Sequence, residues 1–178
     1  MKRKKLFEGK SKKVYETEVE NEIVLEFKDD ARDAKGYKKG TIKGKGIANN
    51  HISSFLLKFL DSYHIPTHFV KELSDKEMMV RKMEMIPVVV VVRNYAAGAL
   101  AKRFGVPEGK ELECPLVEYY LKGGDRDDPM INESHLISFG HATSEEMREI
   151  HRLASKTNAV LKAFFRRRQL NLVDLKLE

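Results

Sequence analysis

The run Val88-Val89-Val90-Val91-Val92 constrains this chain more than any other stretch. Consecutive β-branched residues are stiff at χ1 and pack well on a pleated surface. Without polar alternation they describe a strand covered on both faces. The run follows Pro87 and stops at Arg93-Asn94, after which Ala96-Ala97-Gly98 permits a tight turn or a close approach to a ligand. A guanidinium at the end of a covered strand is a good anchor for phosphate or carboxylate. It equally suits an arginine that emerges into solvent or pairs structurally, and the sequence leaves both open.

A chain of 178 residues suits one large domain or two small lobes, and 42% hydrophobic residues can fill a core. With 34% charged residues and no apolar run near the roughly 20 residues that cross a bilayer, a membrane protein is excluded. The basic start Met1-Lys2-Arg3-Lys4-Lys5 has no long apolar stretch behind it and does not read as a secretory signal. Cys114, the single cysteine, cannot close an internal disulfide, which favours a reducing cytoplasm. Lacking metal-type spacing, it is expected to be a small buried or half-buried residue. The net charge of +6 is spread along the chain with no nucleic-acid-binding pattern. Phosphorylated metabolites therefore fit better than nucleic acid as partners.

Period-2 patterning predicts strands at 13–17 and 22–27, then a polar, glycine-bearing loop over 28–46. Ile52, Phe55, Leu56, Phe59 and Leu60 fall at helical spacing and predict an amphipathic helix over 46–63 with that stripe in the core. Strands follow at 67–73, 78–86 and 88–93, a short helix at 98–104, and a strand at 114–121. Thr143 with Glu146 forms a capping-box pattern, predicting a helix that buries Met147, Ile150, Leu153, Ala154, Val160, Leu161 and Phe164. It ends at Arg166-Arg167-Arg168, where cations favour the helix dipole. Residues 171–178 read as a last strand with Asp174, Lys176 and Glu178 on one face, pointing together.

Three further stretches carry candidate chemistry. Glu8-Gly9-Lys10-Ser11-Lys12-Lys13 can fold over phosphates through backbone N–H groups and ammonium charge, or form a solvated hairpin edge. Met78, Met79, Met83 and Met85 fill a core or wall a flat heterocycle. Gly123 to Met130 holds Asp125, Asp127 and Asp128, suited to turn chemistry or to gripping a cation or amine. The histidines at 135, 141 and 151 show no ligand spacing.

Taken in order, Glu8-Gly9-Lys10-Ser11-Lys12, Lys45-Gly46, Val91-Val92-Arg93-Asn94, Ala96-Ala97-Gly98, Asp128-Pro129-Met130 and Asp174-Leu175-Lys176-Leu177-Glu178 resemble the phosphoribosylaminoimidazole-succinocarboxamide synthase (SAICAR synthetase) family. The resemblance implies an α+β, two-lobed fold whose N-terminal lobe carries an antiparallel sheet similar to that of protein kinases. An ATP-binding lobe would span 1–86 and a second α+β lobe 87–178. It implies ATP and Mg2+ as cofactors. The substrates would be aspartate and an aminoimidazole carboxylate ribonucleotide, with a homo-oligomer possible, in a cytoplasmic purine-pathway ligase. Carried over by motif, Lys10 and Lys12 would meet the nucleotide phosphates, Ser11 and Val14 would also belong to the nucleotide site, and Lys82 and Met85 would lie at the adenine wall. Arg93 would hold the ribonucleotide or its carboxylate, Lys176 would neutralise phosphate with Asp174 beside it, Asp128 would help form the amine pocket, and Glu178 would bind magnesium.

The chain departs from the family pattern at three pocket positions. Lys35 stands where the family carries an acid, Val89 where it carries glutamate, and Ala99 where it carries a hydroxyl. The family chain also runs on beyond the position of Glu178, so this one reads as C-terminally shortened. These changes point to an impaired ligase. The alternative is a remodelled scaffold, either a binder presenting Arg32, Asp33 and Tyr37 or a catalyst with a desolvated, nucleophilic Lys35.

Overall fold

Alternating apolar residues pair the N-terminal strands in sequence order. The computed structural model describes residues 4–32, 39–123 and 128–178. They divide into two compact units, Met1–Glu84 and Met85–Glu178.

In the first unit, β1 (Lys5–Glu8), β2 (Lys12–Glu16) and β3 (Glu22–Phe27) form an antiparallel meander. The sequence expectation held the second and third of these strands and omitted β1. Within the expected loop, β4 (Asp30–Arg32) and β5 (Lys39–Thr41) make a two-stranded ribbon. The candidate residues Asp33, Lys35 and Tyr37 lie outside the described residues. Helix α1 (Lys45–Ser62) leads to β6 (Phe69–Ser74) and β7 (Glu77–Arg81), completing a sheet of order β1-β2-β3-β7-β6. Strand β7 ends earlier than expected because its partner β3 runs out at Glu22, opposite Arg81. Leu25, Phe27, Met78 and Val80 are the core, with Val14, Ile23, Leu57 and Phe69 against it.

Helix α1 corrects the expected stripe. Its buried residues are Gly46, Asn50, Ser54 and Leu60, whereas Ile52 and Phe55 are exposed. Backbone chemistry decides this: Asn50 Nδ2 donates to the carbonyls of Ser74 and Asp75 at 2.9 and 3.1 Å, closing the β6–β7 turn, and a hydrocarbon could not do so. Gly46 sits where the helix meets β3, and a Cβ there would lie 2.5 Å from the Phe27 carbonyl oxygen. Its N–H donates to Asp29 Oδ1 at 2.7 Å, while Lys76 Nζ holds Oδ2 at 2.7 Å. Gly46→Ala is therefore expected to destabilise the chain by about 1–3 kcal/mol and lower its melting temperature by several degrees. A thermal melt that matches the unaltered chain would mean that the helix does not approach β3 this closely.

Ion pairs on the strands add a pH dependence. Hydrogen bonds from Lys28 and Lys5 lower the Glu8 carboxyl pKa to about 2. Lys76 and the Gly46 N–H lower Asp29, and Lys58 and His51 lower Glu72. Each folded value lies below its unfolded one, so the stabilisation is complete above pH ~4.5 and is lost as pH falls through the folded values. Melting temperature should drop between pH 4.5 and 2, and the drop should be shallower in Glu8→Gln; identical curves would remove Glu8 from the account.

In the second unit, the valine run forms β8 (Val88–Tyr95), central in a sheet of order β10-β9-β8-β11. Helix α2 (Ala99–Phe104) follows Gly98, whose φ of 56° suits glycine. Strand β9 (Glu111–Leu121) is longer than expected, and its register against β8 is irregular between Arg93 and Tyr95. Cys114 falls in that stretch and is exposed, contrary to the buried or half-buried expectation. Strand β10 (Met130–Ile131) and helix α3 (Glu133–Ser138), capped by Asn132, were not foreseen. Helix α4 (Ser144–Arg166) begins with the foreseen Thr143–Glu146 capping box, and β11 (Asp174–Leu177) closes the sheet. Val88, Val90 and Val92 pack against Leu136, Ala142, Met147 and Ala154. Beside them, Asn94 and Asn158 exchange side-chain hydrogen bonds at 2.8 and 2.9 Å, fixing β8 to α4.

Among the described residues, no helix is long and apolar enough to cross a membrane.

Candidate functional site

Strand alternation sorts the β8 side chains between two faces. Val88, Val90 and Val92 enter the helix-covered core, so Val89, Val91 and Arg93 point to the other face. The register places Arg93 opposite Asp174 on β11, Val91 between Glu118 and Lys176, and Val89 opposite Tyr120. Glu178 lies one step beyond the Leu177–Val90 pair, and its carboxylate is ion-paired with Lys122 Nζ. Arg93, Asp174, Lys176 and Glu178, four of the residues expected from sequence, thus share one sheet face.

Arg93 is the most buried of them, at 8% exposure. Its Nε donates to Glu118 Oε2 at 2.6 Å and its Nη1 to Asp174 Oδ2 at 3.0 Å. Burial opposes the Arg93 charge, but the hydrogen bonds to Glu118 and Tyr120 outweigh it and raise the pKa overall. The arginine is therefore a structural ion-pair member carried on the polar face, as one of the two sequence readings had it. Glu118, Tyr120 and Lys122 were missed. Their signal was present in the alternation Glu118-x-Tyr120-x-Lys122 along β9, which puts polar groups on the face opposite Val117, Tyr119 and Leu121.

The remaining candidates are carried by other strands and loops. Asp128 is exposed, two residues before β10, whose Met130 and Ile131 pair with Tyr120 and Tyr119. Lys10, Ser11, Lys12, Val14 and Lys82 belong to the first unit, and Met85 opens the second. The Gly9–Lys12 turn closes by Gly9 N–H to Lys12 O at 2.8 Å, and Lys28 N–H donates to Ser11 O at 2.8 Å. Lys12 Nζ lies 5.1 Å from the Phe27 ring centroid, and Val14 packs on the core. Lys82 N–H instead bonds Asn21 O, at the other end of β3. Six residues of strand rise separate these ends, about 20 Å. The methionines divide: Met78 is in the core at 1% exposure, while Met83 and Met85 are exposed.

A family model of SAICAR synthetase matches residues 5–178. The chain belongs to the SAICAR synthetase family. It is 48% identical over 177 residues to the phosphoribosylaminoimidazole-succinocarboxamide synthase of Thermoanaerobacter sp., covering 99% of this chain and 75% of that one. The crystal structure of the Ehrlichia chaffeensis enzyme superposes with a TM-score of 0.93 at 40% identity, covering 98% of this chain and 73% of that one. A SAICAR synthetase in complex with ADP superposes at 0.90, also at 40% identity, covering 96% and 72%. The α+β fold and the resemblance read from sequence are thereby borne out, and the chain is a member of a ligase family of purine biosynthesis.

The described residues contain no group of three or more His, Cys, Asp or Glu side chains that could hold a metal. On the polar face Asp174 is engaged by Arg93, and Glu178 is a single carboxylate, 44% exposed at its side chain. One exposed carboxylate could supply a single ligand to a magnesium ion held chiefly by other oxygens, and no more than that.

Proposed function

We propose that this chain joins aspartate to 5-aminoimidazole-4-carboxylate ribonucleotide at the expense of ATP, at a rate reduced by its own substitutions. The gathering of Arg93, Asp174, Lys176 and Glu178 on one sheet face carries this reading. A carboxylate is a poor acceptor of an amine. Its oxygen first takes the γ-phosphoryl group of ATP, releasing ADP; the aspartate amine then attacks the carbonyl and phosphate leaves. Charge gathers on phosphoryl oxygens, which cations on a preorganised face stabilise. Arg93 would hold the anionic ribonucleotide and Lys176 would neutralise phosphate, with Asp128 near the amine. Glu178 would hold Mg2+, which offsets phosphate charge, and Lys122 must release it first. In the first unit, the separation of the Lys10–Lys12 turn from Lys82 suits an elongated nucleotide, phosphates at one end and base at the other.

The reduced rate follows from where the substitutions fall. Val89 puts an isopropyl group on the polar face where the family pattern has a carboxylate, and Ala99 is the first residue of α2. The test is ADP release measured with and without each substrate. Release that requires both aspartate and the ribonucleotide supports the ligase reading, and Val89→Glu should accelerate it. A folded chain that binds the ribonucleotide yet releases no ADP would leave an inactivated scaffold instead.

A further inference from the structure

Glu118 is a buried charge that the scheme above leaves unused. Its side chain is 1% exposed. Oε2 accepts from Arg93 Nε at 2.6 Å and from the Tyr120 hydroxyl at 3.0 Å. Oε1 has no hydrogen-bond partner, and Arg103 Nη1 stands 3.8 Å away while donating to Met130 Sδ at 2.9 Å. An unsatisfied oxygen on a buried carboxylate works against stability. A buried pair of this kind can also be replaced by apolar residues at little net loss. Stability alone gives no reason for the arrangement, whereas geometry does. A guanidinium carries five donors in one plane. Tying Nε to a buried carboxylate that is itself held by the Tyr120 hydroxyl sets that plane, and with it the direction of the remaining donors. Asp174, with its side chain 37% exposed, is the looser partner at Nη1 and leaves room for exchange with an incoming anion.

We propose that Glu118 is the positioning residue for Arg93: it orients the guanidinium for an anionic guest without touching that guest. The inference rests on the reading that Arg93 holds the ribonucleotide. The experiment is calorimetric titration of the full chain with 5-aminoimidazole-4-carboxylate ribonucleotide and, separately, with ADP, well below the melting temperature. Glu118→Gln keeps the shape but loses the charge, and should weaken ribonucleotide binding about tenfold or more while ADP affinity stays within twofold. Glu118→Asp, which keeps the charge one methylene short, should fall between Glu118→Gln and the unaltered chain. A merely structural glutamate would lower the melting temperature and leave both affinities alone; that result overturns the proposal. If Glu118→Gln does not fold, Glu118→Asp decides, and unchanged ribonucleotide affinity there is equally fatal. Arg93→Lys separates the two layers. If it binds the ribonucleotide as tightly as the unaltered chain, the assignment of Arg93 itself fails. If it weakens binding while the Glu118 variants do not, only the positioning role fails.

Discussion

Replacing Arg93 with methionine is expected to cost this chain about 3–5 kcal/mol of folding stability and roughly 6–20 °C of melting temperature. The loss comes less from the missing attraction than from what remains. Glu118, at 1% exposure, would keep a charge out of water with only the Tyr120 hydroxyl donating to it. Arg103 is 3.8 Å away and would have to shift to replace the lost donor. The double variant Arg93→Met/Glu118→Met removes both charges and should recover at least half of the loss, because an apolar pair of similar volume has no desolvation to offset. Thermal melts of the single and double variants check this. A single variant that melts like the unaltered chain would place the guanidinium in water and undo the site's geometry.

Lys176→Met is expected to behave in the opposite way. Lys176 is exposed on β11, opposite Val91, so its stability should stay within about 0.5 kcal/mol. If Lys176 stabilises phosphoryl charge, substrate-dependent ADP release should fall about 100- to 1000-fold. A variant with normal turnover would remove Lys176 from the chemistry. The two residues lie on neighbouring strands of one face, yet one substitution should be felt in folding and the other in rate.

What could be read from the chain depended on how local the deciding interaction was. The valine run, the Thr143–Glu146 cap and the face shared by Asp174 and Lys176 are matters of neighbouring residues, and they stand as expected. Helix α1 was misjudged because its inward face is set by carbonyls in a distant turn. Apolar periodicity cannot report that Asn50 is needed there. Thr157 and Asn158 were likewise left out of the buried side of α4, although Asn158 pairs with Asn94 from 64 residues away. For the site, the family resemblance supplied Arg93 but not its anchor. Glu118 lies 25 residues along the chain and meets Arg93 only through the β8–β9 pairing. Whether Arg93 would be solvated or paired was undecidable from sequence for the same reason.

The division of β8 into an inward row at 88, 90 and 92 and an outward row at 89, 91 and 93 makes the length of the run matter more than its composition. Because the valines are interchangeable to the eye of the core, losing one by deletion would leave four in sequence and a strand that still looks sound. It would nevertheless rotate the arginine by half a turn, driving a cation toward Leu136 and Met147. A one-residue deletion in this run should therefore cost the fold far more than exchanging one β-branched residue for another on its inward row.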